Sequence, residues 1–138
     1  MRSGEGFGVW FALVMALPVS LLAQKVVDQW RYTLEPPQGA WQTATYDDAA
    51  WKTGNGGFGT VGTPGARVGT VWNTKTIWLR KRVPLSEALR KPALLVHHDE
   101  DAEIFLNGQR VLALKGYLTD YQVIPLPEEH RALVKPGE

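Results

Sequence analysis

The dipeptide Asn107-Gly108 constrains this chain more than any other feature. Both residues tolerate positive φ, which the central positions of a type I′ turn require. Before it, Ala102, Ile104 and Leu106 alternate with Glu103, Phe105 and Asn107; after it, Arg110–Leu114 (RVLAL) returns. That pattern predicts an antiparallel hairpin with one apolar face.

Strand signals recur along the chain. Asp28–Leu34 carries Trp30, Tyr32 and Leu34 at alternate positions. Thr76–Leu85 places Ile77, Leu79 and Val83 on one face and Trp78, Arg80 and Arg82 on the other, with Lys81 interrupting the apolar set. Pro92–His98 is continuously apolar over PALLV, as in a strand covered on both sides. A last strand is predicted over Tyr121–Leu126, with Pro125 at its edge or end because proline donates nothing to a ladder. No helical period is sustained after Gln24; one short turn is predicted at Ser86–Arg90.

Between the first strand and Thr76 the sequence reads as a long glycine-rich loop with Trp41, Asp47-Asp48, Trp51 and Phe58. No Gly-Lys-Ser/Thr follows Gly54–Gly59, so a phosphate-binding loop is not indicated. A loop of this length is either functional or pinned by its own aromatics, here Trp41, Trp51 and Phe58. About six strands with Gly, Pro and Asn punctuation predict an all-β, antiparallel sandwich in a single domain.

Arg2 followed by the apolar run Phe7–Leu22 and Ala23 reads as a secretory signal helix over residues 1–23. The run is shorter than the ~20 residues of a membrane span, and Pro18 interrupts it. The expectation is a secreted or periplasmic chain with no stable membrane span after processing. Residues 24–138 contain no cysteine, so the domain relies on core burial without disulfides. Fifteen basic residues offset by fourteen acidic ones form no basic stripe, which excludes nucleic acid as the expected partner.

Three motifs carry a family resemblance. Trp41, Tyr46-Asp47-Asp48, Trp51 and Gly57-Phe58-Gly59 resemble the opening motif of galactose-binding-like jelly-roll domains. Ile77–Lys81 (IWLRK) is similar to their next strand, and His98–Gly108 (HDEDAEIFLNG) to their most specific strand and turn. Such domains stand at the front of glycoside hydrolase family 2 enzymes and of other large secreted hydrolases, including glutaminase-like proteins. The resemblance spans about Trp30 to Glu138. It implies a galactose-binding-like jelly-roll sandwich whose Leu133–Glu138 turn leads into one further strand, here lacking. It also implies a non-catalytic accessory module partnered by the catalytic domain of a parent protein.

Candidate sites follow from side-chain chemistry. Exposed tryptophan stacks on pyranose rings, and Trp72, in a glycine-bounded segment, is the foremost sugar platform, the alternative being a ring that packs in the core. Asp99, Asp101 and Tyr121 complete the candidate carbohydrate contacts. Trp30, Trp41, Trp51 and Trp78 read instead as core and loop clamps. Asp99 and Asp101 share a face on an extended chain, and with Asp47 or Asp48 they offer hard oxygen donors for calcium; the simpler alternative is a solvated bend. His97-His98 diverge on a strand, which disfavours zinc, and one is expected to pack with a hydrogen-bonded ring. No carboxylate pair is singled out at the roughly 5–9.5 Å a glycosidase needs, and Ser86 lacks a nucleophile-elbow context. The functional expectation is a carbohydrate-associated accessory module without catalysis or a required cofactor. The alternatives are a purely structural module, or the N-terminal part of a larger glycosidase or glutaminase-like hydrolase.

Overall fold

A computed structural model describes residues 29–137. Nine short strands dominate: β1 (Gln29–Thr33), β2 (Lys52–Asn55), β3 (Phe58–Gly59), β4 (Thr70–Val71), β5 (Trp78–Arg80), β6 (Ala93–Val96), β7 (Ala102–Leu106), β8 (Gln109–Leu114) and β9 (Gln122–Pro125). One 3-10 helix, Glu128–Leu133, follows. The fold class is therefore all-β. The signal helix expected over residues 1–23 lies outside the described residues.

The strands form a three-stranded sheet in the order β2-β1-β5 and three two-stranded sheets, β3-β4, β6-β9 and β7-β8. All pairs are antiparallel except β3 with β4, which is parallel. The predicted hairpin is present: Leu106 pairs with Gln109, and Asn107 and Gly108 turn at φ 47° and 86°. Register shifts after Ile104, which pairs with Leu112 while Phe105 pairs with Arg110. The unpaired residue is Val111, a bulge whose side chain is only 5% exposed.

Several expectations need correction. The region between β1 and Thr76 is not one loop, since Thr53 and Gly54 pair with Arg31 and Trp30, and Phe58 pairs with Thr70. Glycine permits this: Gly57, at φ 87°, gives its carbonyl to the N–H groups of Gly69 and Thr70. A Cβ on Gly57 would collide with the Arg67 carbonyl, so bare backbone is what lets the two segments approach. The strand expected over Thr76–Leu85 is confined to Trp78–Arg80, ending before Lys81. No helical turn forms at Ser86–Arg90; the turn lies at Glu128–Leu133, after Pro127, whose missing N–H is no loss at a helix start.

The segment around β6 is not covered on both sides. Ala93 and Leu95 pair with Pro125 and Val123, and all four are exposed. The opposite face, with Leu94, Val96 and Ile124, is half-buried. Pro125 ends its strand, as its chemistry demands. Among the described residues the buried large apolar side chains are Val111 and Leu126, so the interior is thin. The tryptophans expected to fill the core are half-buried. Trp41 touches Trp51 and Phe105 at ring separations of 6.5 and 5.6 Å, and Trp51 meets Tyr46 at 5.8 Å. These rings clamp the segment that precedes β2 onto β7 through Phe105.

Candidate functional site

Trp72 follows directly on β4, where its N–H bonds the Gly59 carbonyl at 2.9 Å. Its indole Nε1 donates to Thr74 Oγ1 at 2.7 Å, and that hydroxyl donates to the Thr76 carbonyl at 3.1 Å. The ring is half-buried and its polar edge is used within the protein.

Tyr121 is 39% exposed. Its hydroxyl accepts from the Arg67 N–H at 3.5 Å, and its ring lies 5.2 Å from that of His97. His97 Nε2 is 3.1 Å from the Pro64 carbonyl, which can only accept, so this nitrogen carries a proton. His98 Nδ1 faces two carbonyls, Glu100 at 2.8 Å and Gly116 at 3.0 Å, and is likewise the donor. Both histidines thus use a ring nitrogen structurally. The loop from Thr60 to Arg67 lies against Thr119 and Tyr121 through Gly65, whose Cα faces the Thr119 carbonyl.

Asp101 is held at the end of the hairpin. Lys115 Nζ donates to one carboxylate oxygen at 2.7 Å and the Gly116 N–H to the other at 2.9 Å. The lysine's hydrogen bond, then the backbone donor, hold this carboxyl below the usual carboxylate range, and Lys115 is raised in turn. Asp99 is exposed two residues earlier. Among the described residues no hydrogen bond or ring contact joins Trp72 to Asp99, Asp101 or Tyr121.

Asp47 and Asp48 serve the fold. Asp47 accepts from the Ala49 N–H at 2.9 Å, an Asx turn. Asp48, 9% exposed, accepts from Arg80 Nε at 2.8 Å, with Arg82 Nη1 at 4.0 Å from its other oxygen. Among the described residues no three His, Asp or Glu side chains converge as a metal site would require, and the four aspartates considered for calcium are distributed as just given.

Sequence reasoning missed a different arrangement. Register places Thr53, Arg31 and Arg80 in one row across β2, β1 and β5. Residues directly opposite share a sheet face, so this row lines one surface. Beside it opens a cleft of about 280 Å³ lined by Gln29, Trp30, Arg31, Asp48, Thr53, Arg80, Lys81 and Arg82. Alternation placed Arg80 and Arg82 together, but nothing local could show that Arg31 lies beside them. No protein-family model matches the chain, and neither a curated protein nor a solved structure gives a significant match. The galactose-binding-like resemblance therefore rests on the three motifs alone. Among the described residues no helix is long and apolar enough to cross a membrane.

Proposed function

We propose that the chain is a non-catalytic, carbohydrate-associated accessory β-sandwich of the jelly-roll type, exported and packed beside the catalytic domain of a hydrolase. The observation that carries this reading is the apolar outer face of the β6-β9 pair. Leu95 and Val123 are cross-strand partners at 47% and 68% exposure, flanked on the same face by exposed Ala93 and Pro125. A contiguous apolar patch of this kind is what a neighbouring domain covers. Trp72 and Tyr121 are the aromatic rings offered to sugar, and the three motifs supply the carbohydrate association.

The test is a titration of the chain against a panel of neutral and acidic glycans, followed by tryptophan fluorescence. A saturable change that Trp72→Ala weakens without unfolding supports the sugar contact. Silence toward every glycan at millimolar concentration rejects it and leaves the purely structural module. Reading the coding DNA beyond Glu138 tests the partner: an in-frame hydrolase domain supports the accessory role, and a stop codon there opposes it.

A further inference from the structure

We infer that the cleft beside the Thr53–Arg31–Arg80 row is an anion site for the acidic group of a saccharide, a uronate carboxylate or a sulfate ester. This rests on the carbohydrate reading above but names a separate place and a separate chemistry. Four basic residues, Arg31, Arg80, Lys81 and Arg82, bound the cleft with a single carboxylate, Asp48. That carboxylate is already matched by Arg80 at 2.8 Å. The cationic surplus is therefore not neutralised within the cleft.

The donors are partly committed and partly free. Arg31 gives Nη1 to the Trp51 carbonyl at 3.3 Å and to Thr53 Oγ1 at 3.0 Å, which fixes its plane. Its Nε and Nη2 have no protein acceptor among the described residues. Arg82 is 67% exposed and held by Nη2 to the carbonyls of Ala44 and Tyr46, with Nη1 at 4.0 Å from Asp48 Oδ1, so its head is positioned while most of it stays in solvent. Lys81 makes no ion pair among the described residues. Guanidinium groups orientated by backbone carbonyls lose little freedom on meeting a carboxylate or sulfate, and charge-assisted pairs are the stronger kind. Gln29 and Thr53 place an amide and a hydroxyl on the same rim, suited to sugar hydroxyls. A volume of 280 Å³ lies near the lower bound of small-molecule sites, about 300 Å³, and suits one or two sugar rings and not a longer chain.

The experiment follows the side-chain Nε–H signal of Arg31 and the backbone amide of Thr53 by heteronuclear NMR. The 138-residue chain is titrated with digalacturonate, a sulfated disaccharide, a neutral galactose disaccharide and sodium sulfate. The expected result is saturable movement of both signals with an acidic disaccharide, weakened by added salt, and none with the neutral one. Arg31→Gln should raise Kd about tenfold. Lys81→Gln, on an exposed side chain, should raise it less and serves if the first variant misfolds. Equal binding of the neutral disaccharide overturns the proposal, as does an unchanged Kd in both variants. So does sodium sulfate binding as tightly as either acidic disaccharide. A neutral glycan that changes Trp72 fluorescence while these signals stay still would reject the cleft and leave the carbohydrate reading standing.

Discussion

Arg80 Nε and Asp48 Oδ2 meet at 2.8 Å, with side-chain exposures of 10% and 12%. The same guanidinium gives Nη1 to the carbonyls of Trp41 and Thr43 and lies 5.2 Å from the Tyr46 ring centroid. One side chain from β5 thus fixes the turn that presents Trp41 to Phe105. Asp48→Asn leaves a largely buried guanidinium without its counter-charge and should cost on the order of 3 kcal/mol, read from urea unfolding. Arg80→Lys should also destabilise, because an ammonium cannot span a carboxylate and two carbonyls in one plane. An Asp48→Asn variant as stable as the parent would remove the pair from this role.

Asp101 and Lys115 give a pH signature. The Asp101 carboxyl is held below its ordinary value of 3.8, chiefly by the Lys115 hydrogen bond. A depressed carboxyl binds its proton more readily in the unfolded chain. Its contribution is therefore present above about pH 4 and lost as pH falls through the lower folded value. Lys115 is raised above 10.5, so its share is complete below that and lost as pH rises through the folded value. Carboxyl NMR should show Asp101 titrating below 3.8, and Lys115→Ala should move it upward. A midpoint that stays put in the variant would refute the pairing.

Two glycines with similar φ should behave differently. Gly108 at φ 86° has room for a methyl group, the nearest atom to an added Cβ being Thr43 Cγ2 at 3.6 Å. Gly108→Ala should cost only the backbone strain, about 1–2 kcal/mol. Gly57→Ala adds a collision with the Arg67 backbone and should cost about 3 kcal/mol or more, with loss of the β3-β4 pair. Thermal melts of the two variants side by side check the ordering.

On the apolar face of β6 and β9, Val123 is largely solvated. Val123→Lys, at a position 68% exposed, should leave the unfolding midpoint within about 0.5 kcal/mol of the parent. It should reduce any self-association seen by sedimentation. A loss of several kcal/mol would show that Val123 packs inside the domain.

Features whose cause is local were legible in the sequence. Asn107-Gly108 specifies its turn through φ alone, and the alternation on either side specifies the two strands. The long central segment was not legible, because β2, β3 and β4 lack apolar alternation; Lys52–Asn55 is a strand only because β1 offers it a ladder. Pro92–His98 misled in another way. Its apolar run says that Leu95 is hydrophobic but not that anything covers it. The candidate sites divide similarly. Trp72 and Tyr121 are nominated by side-chain chemistry, whereas the Arg31–Arg80 neighbourhood depends on pairing between residues far apart in sequence, which no local pattern encodes.

The acceptors of Arg80 Nη1 lie 37 and 39 residues back along the chain, at Thr43 and Trp41, and its carboxylate partner 32 residues back. On a ribosome, the turn bearing Trp41 emerges well before the side chain that fixes it. Until β5 has been synthesised and has closed that loop against β1, the segment has rings to cluster but no anchor. The order of events is thereby written into the contact itself: the first motif of the chain is completed by its second.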